Sequence, residues 1–96
     1  MEATSFVYIL TTRRNTALYC GVTGDLTARM WEHKKQLEAQ SFAARYNITK
    51  LVYYEGFETI DEAIRREKEI KGKSRKYKEN LIRQMNPEWK ELDPKL

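Results

Sequence analysis

Short apolar runs alternate with polar, turn-compatible stretches along the first third of the chain. Phe6-Val7-Tyr8-Ile9-Leu10 and Ala17-Leu18-Tyr19-Cys20-Gly21-Val22 are rich in strand formers and flank a polar segment of threonine, arginine and asparagine. This pattern predicts an antiparallel hairpin. Neither run alternates cleanly between apolar and polar, so both faces of the sheet are expected to be covered by helices. Gly24-Asp25 breaks the second strand, and Asp25 is placed to cap a helix running to about Glu38. Leu26, Met30, His33 and Leu37 share one stripe of that helix; Arg29 borders it, and Trp31 falls off it and is expected to be exposed. Residues 41–49 read as a loop or short helix.

Lys50-Leu51-Val52-Tyr53-Tyr54-Glu55 reads as a third strand closed by Gly56. Thr59 and Glu62 have the spacing of a capping box, opening a helix that should run to about Lys71 and stop at Gly72. Ser74 can cap a last helix through Met85, with Tyr77, Leu81 and Met85 inward, ended by Pro87. Trp89 is the expected anchor of the tail. The predicted order is β-β-α-β-α-α, an α/β (α+β) domain with a small three-stranded, mostly antiparallel sheet flanked by helices. The 96 residues are read as one domain, with residues 86–96 as a tail.

Charge changes this picture. Eighteen Lys and Arg against 14 Asp and Glu give a net +4, unevenly spread. Between Arg65 and Arg83 nine basic residues face three acids, a local net of +6, so the rest of the chain carries −2. Such a field attracts polyanions, nucleic acid foremost. A solvated helix face laced with pairs such as Glu67–Lys71, or a surface for an acidic protein partner, would use the same residues. The one cysteine, Cys20, excludes an internal disulfide and a cysteine-cluster zinc site. No apolar run is long enough to cross a bilayer, and the first residues lack the basic-then-apolar pattern of a signal peptide. A reduced, cytoplasmic protein away from membranes is expected.

One side chain breaks the local pattern. On the helix after Thr59, Ile60, Ala63, Ile64 and Ile70 form an apolar stripe, and Glu67 falls within roughly 20° of its centre. A carboxylate facing a core needs a cation. Lys71 one turn later, Arg29 from another element, or a divalent metal would each serve, since Mg²⁺ often takes one or two carboxylates plus water and phosphate. His33, the one histidine, fits either a core position or an acid–base and phosphate-contacting role. Tyr8, Tyr19, Tyr53 and Tyr54 lie in predicted strands, where packing with the hydroxyl at a wet rim is the ordinary role. A Cys20–His33 nucleophilic pair has no support in spacing, and Gly21 and Gly24 form no phosphate-binding loop.

Phe6-Val7-Tyr8 followed by Tyr19-Cys20-Gly21 resembles the paired tripeptides of the GIY-YIG nuclease superfamily. Arg29 in the next helix, His33 one turn beyond and Glu67 in a later basic helix follow the family's order. Arg66 to Gly72 and Asn86 to Trp89 resemble stretches of its small bacterial stand-alone members. The resemblance covers nearly the whole chain. It implies phosphodiester hydrolysis on DNA, as an endonuclease or nicking enzyme, with structured or single-stranded forms and RNA left open. It also implies one Mg²⁺ or Mn²⁺ and no small-molecule cofactor. In that pattern Glu67 holds the metal and Arg29 stabilises the charge growing on the phosphorane-like transition state. Tyr8 deprotonates or positions the attacking water, which Tyr19 and His33 orient with the scissile phosphate. Arg65, Arg66, Lys68, Lys71, Lys73, Arg75, Lys76 and Lys78 are then the nucleic-acid contacts. A binding module of the same fold with little turnover is the alternative.

The chain departs from the pattern in places. Phe6 and Val7 replace Gly and Ile of the first tripeptide, and Cys20 replaces the central aliphatic of the second. These are backbone or core positions. The family's late asparagine has Asn80 and Asn86 as candidates, while alignment through Pro87 puts Lys90 there.

Overall fold

The computed structural model describes residues 3–35 and 48–93; side chains 33–35 fall outside that description. Strands β1 (Ser5–Thr11) and β2 (Leu18–Thr23) form the expected hairpin. Asn15 turns the chain at φ 58°, a left-handed conformation that asparagine tolerates, and its N–H donates to the Thr12 carbonyl at 3.0 Å. Strand β3 (Lys50–Phe57) pairs antiparallel with β1 on its other side, so the sheet order is β2-β1-β3.

The helices are α1 (Leu26–Lys35), α2 (Ile60–Lys71) and α3 (Arg75–Met85). Each starts where a short polar side chain takes an orphan N–H. Asp25 Oδ1 accepts from Ala28 at 3.0 Å, and Ser74 Oγ accepts from Tyr77 at 3.2 Å. Thr59 and Glu62 close a full capping box. The α+β order β-β-α-β-α-α is the one predicted. Gly72 ends α2 at φ −80°, so this glycine makes no left-handed turn. Leu37, Glu38, residues 41–47 of the expected loop and residues 94–96 of the tail lie outside the described residues.

The sheet is covered on both faces. Val7, Ile9 and Cys20 meet Ala63 and Ile70 of α2 and Ile82 of α3. Tyr8 and Leu10 meet Leu26 and Met30 of α1, together with Ile48 and Leu51. Val52 and Tyr53 both join the first cluster, although they are neighbours in a strand. The β1–β3 register shifts between Ile9 and Leu10: Ile9 faces Tyr53 and Leu10 faces Leu51, so Val52 is the extra residue of a bulge.

Buried Asn86 then closes the structure against that bulge. Its Nδ2 donates to the Val52 carbonyl at 3.2 Å and the Lys90 carbonyl at 2.7 Å, and its Oδ1 accepts the Lys90 N–H at 3.0 Å. Leu92 N–H donates to the Leu51 carbonyl at 2.8 Å, and Trp89 packs against the α2–α3 core as expected. No helix among the described residues is long and apolar enough to cross a membrane.

Two stripe positions differ from the helical pattern. Ile60 is 44 % exposed because it opens the first turn of α2, and Met85 is 40 % exposed. Tyr77 and Leu81 pack inward as expected, but Ile82 is the fully buried side chain of α3. Asn86, not Met85, fills the interior at the helix end. Trp31 is exposed, as its position off the stripe predicts.

Candidate active site

Tyr8 stands at the centre of β1, opposite Gly21 on β2. Its ring leans across Gly21: a Cβ built there would lie 2.5 Å from the ring carbon that bears the hydroxyl. Only glycine leaves room for this contact. The lean carries the hydroxyl from the middle strand toward the outer strand β2, where Tyr19 lies with ring centroids 6.4 Å apart. Tyr8 is 1 % exposed. Burial, first, and the neighbouring Tyr19 push its phenol well above the ordinary value. The Arg29 guanidinium pulls against them, while Cys20 and the Glu67 carboxylate add to the rise. Tyr8 and Tyr19 thus share the α1 side of the sheet with the helix that carries Arg29, whereas Glu67 belongs to α2 on the other face, and its charge is the least of these effects on the phenol.

Glu67 is 15 % exposed and faces inward as its place on the stripe requires. Of the two side-chain cations weighed for it, Lys71 and Arg29, the structure places Lys71 there, with Nζ 3.0 Å from Oε2. Lys71 is 53 % exposed, and its hydrogen bond to Glu67 holds its ammonium above the ordinary lysine value. Arg29 instead lies 3.5 Å from Glu32 on its own helix, in an exposed pair. Cys20 adjoins the same group. Burial and then the Glu67 charge push its thiol up to about 11, against the pull of Lys71, Lys78 and Arg66. His33 is on α1 one turn beyond Arg29, but its side chain is outside the described residues.

The basic residues divide. Arg66 donates through Nε to Glu55 Oε1 at 3.0 Å and through Nη1 to Glu69 and to the Tyr77 hydroxyl, at 3.2 Å for the last. Tyr53 donates to Glu55 Oε2 at 3.0 Å, extending the network. Burial opposes the Arg66 charge, but Tyr77, Glu69 and Glu55 outweigh it and hold the guanidinium firmly charged. Arg75 donates to the carbonyls of Thr16 at 2.8 Å and Asn15 at 3.1 Å, clamping α3 to the hairpin turn, and to Glu79 at 2.9 Å. Lys73 sits 5.5 Å over the Tyr77 ring. Arg65, Lys68 and Lys76 are exposed and Lys78 half-buried, and none makes an ion pair with a described residue. Of the asparagine candidates, Asn86 is structural, while Asn80 accepts from Arg83 at 3.0 Å on the exposed side of α3.

A family model described as the GIY-YIG catalytic domain matches residues 4–80, from the residue before β1 into α3. The chain belongs to the GIY-YIG nuclease family. It is 38 % identical over 79 residues to UPF0213 proteins of Staphylococcus aureus strains Mu3 and N315, covering 82 % of this chain and 94 % of each relative. The solution NMR structure of a UPF0213 protein from Bacillus halodurans superposes with a TM-score of 0.57 at 30 % identity, over 91 % of this chain and 90 % of that one. This GIY-YIG chain thus resembles small proteins of its own size. Sequence reasoning missed two features of it. The Tyr8–Gly21 contact has a signal in the tripeptide spacing, which pairs the two residues once the strands are in register. The Asn86 clamp has none, because its target is a carbonyl freed by a bulge 34 residues away.

Proposed function

We propose that this chain hydrolyses phosphodiester bonds in DNA, as an endonuclease or nicking enzyme, with Tyr8, Tyr19, Arg29, His33 and Glu67 as its site. The observation that carries the reading is the Glu67 carboxylate, 15 % exposed on the inner stripe of α2 with the fully buried Ala63 and Ile70. A domain that only packs its core has no use for a carboxylate on the inward stripe of a helix.

A single divalent cation, Mg²⁺ or Mn²⁺, fits Glu67. The carboxylate is mostly buried, takes its charge balance from one exposed lysine, and is the protein's own hard oxygen donor at the site. No group of three or more His, Cys, Asp or Glu able to hold a metal exists among the described residues, so water and phosphate oxygens would complete the shell. The cation would supply Lewis-acid stabilisation of charge on the phosphate and leaving oxygen.

The chain's own residues do the rest. Tyr8, held above its ordinary value, keeps its proton at neutral pH. It serves by donating its O–H and fixing the position of the attacking water or a phosphate oxygen. Tyr19 completes that polar edge. Arg29, free to leave its exposed partner Glu32, presents a fixed planar charge to the pentavalent phosphate. His33 orients the attacking water and the scissile phosphate. Arg65, Lys68, Lys76 and Lys78 hold the flanking phosphates, so binding falls steeply with salt. Base readout has no dedicated element, and phosphate contacts dominate.

A second reading, a binding module with little turnover, draws on the Lys71 contact to Glu67 and the closed position of Tyr8. A plasmid-nicking assay with Mg²⁺ or Mn²⁺ separates the two. Cleavage by the wild type and none by Glu67→Ala or Arg29→Ala, both folded by circular dichroism, supports the enzyme. Equal background cleavage by all three proteins removes it.

A further inference from the structure

Glu67 and Lys71 form an ion pair of unequal partners. The carboxylate lies on the inner stripe of α2 between Ala63 and Ile70, both fully buried, and little of its side chain meets solvent. Lys71 stands at the last residue of α2, just before Gly72, with more than half its side chain in solvent. Rotation about its side-chain bonds is enough to remove it. An inward carboxylate left without a cation is costly, so the lysine leaves only when another cation arrives. A divalent ion and an ammonium both seeking Oε2 repel each other strongly at such range.

The released ammonium stays at the C-terminal end of α2, beside Gly72. Lys78 stands one turn into the next helix, α3. Lys78 makes no ion pair with a described residue. An ammonium freed from its carboxylate beside a newly bound dication forms a cationic site that a phosphodiester anion neutralises.

We infer that Lys71 is the resident counter-ion of Glu67, displaced when a divalent cation binds, and that its freed ammonium then contacts the phosphodiester. This rests on the reading of Glu67 as the metal-holding carboxylate. Lys71 is then neither a plain structural partner nor a permanent phosphate contact. It changes partner with the occupancy of Glu67, so the cation-free protein keeps its carboxylate neutralised and its fold closed.

The first test is Mn²⁺ affinity of the full chain without nucleic acid, read from the free-Mn²⁺ electron paramagnetic resonance signal. Lys71→Met removes the competing charge and should bind Mn²⁺ about tenfold more tightly than the wild type. Lys71→Arg should restore wild-type affinity, and Glu67→Gln should lose the site. If Lys71→Met does not fold, Lys71→Gln, which keeps a donor for Oε2 without the charge, carries the same comparison. The second test is the salt dependence of DNA binding in an Arg29→Ala background, which prevents cleavage. Adding Lys71→Met should lower the slope of log K against log salt by about 0.9 in Mn²⁺ and leave it unchanged in EDTA. Glu67-dependent Mn²⁺ binding that Lys71→Met leaves unaltered overturns the exchange while sparing the metal site. A slope lowered equally in Mn²⁺ and EDTA makes Lys71 a permanent phosphate contact and overturns it too. No Glu67-dependent Mn²⁺ binding in any variant removes the metal reading and the exchange together.

Discussion

The Tyr8 ring rests on the bare backbone of Gly21, directly across the β1–β2 ladder. The contact makes a requirement of the glycine and sets where the phenol points. A methyl group at Gly21 would force either the ring or the strand to move, because ring carbons do not yield as the end of a flexible chain does.

Gly21→Ala should therefore destabilise the fold by about 1–3 kcal/mol, the usual cost of overpacking a filled core. On the proposed function, the nicking rate should fall by more than stability explains, since the Tyr8 ring is displaced from Tyr19. Urea midpoints and initial nicking rates on the same samples separate the two effects. Tyr8→Phe, which keeps the ring and drops the hydroxyl, should lose rate with a much smaller change in midpoint.

What could be read from the sequence was local. Asp25, Ser74 and the Thr59–Glu62 pair sit within three residues of the N–H groups they accept from, so capping rules find them. Glu67 was legible because a helical wheel needs only its own helix. The exposure of Ile60 and Met85 was not, since a wheel gives direction but not where the opposing sheet ends. The division of the basic residues was also hidden. Arg75 reaches carbonyls 59 and 60 residues away, and Arg66 of α2 reaches Glu55 on β3. Only the assembled fold tells a clamped guanidinium from one open to phosphate.

That division predicts opposite consequences for neighbouring charges. Arg66→Ala leaves Glu55 Oε1 and the Tyr77 hydroxyl without the Arg66 donor, Tyr53 remaining on Oε2, and should cost roughly 2–3 kcal/mol. Lys76→Ala touches no internal partner and should leave the urea midpoint unchanged, while lowering the salt slope of DNA binding by about 1. Chemical denaturation and a salt titration of binding, run on both variants, check the assignment. An Arg66→Ala protein of wild-type stability and reduced salt slope would put Arg66 back among the phosphate contacts.

Asn86→Ala should cost about 1–3 kcal/mol, because the Val52 carbonyl at the bulge and the Lys90 groups lose their partners. The loss should be felt at the β3 edge. Amide exchange at Leu92, whose N–H donates to Leu51, should quicken relative to that of α2. Asn86→Asp keeps the acceptor for Lys90 N–H but not the donor to the two carbonyls, and should recover only part of the loss.

Alkaline pH tests the burial of the site as a whole. Burial is the first cause that raises Tyr8, Cys20 and Tyr53, taking Cys20 from 9.0 to about 11 and Tyr53 from 10.0 to about 12. Each group holds its proton more tightly folded than unfolded. As pH rises, the unfolded chain releases these protons first and binds fewer than the native state, so stability falls with pH. Lys71, raised by its bond to Glu67, acts with the same sign, its contribution being present below the unfolded lysine value and lost above it. The urea midpoint should be level from pH 7 to about 8.5, begin to fall near 9 as Cys20 enters, and steepen near 10 as the phenols and Lys71 join. Cys20→Ala should flatten the segment between pH 9 and 10 relative to its own neutral-pH midpoint, leaving the steeper loss above it. A wild-type midpoint that stays level to pH 11 would mean that the thiol and the phenols are open to water, and the enclosed Tyr8 on which the site is built would be lost with it.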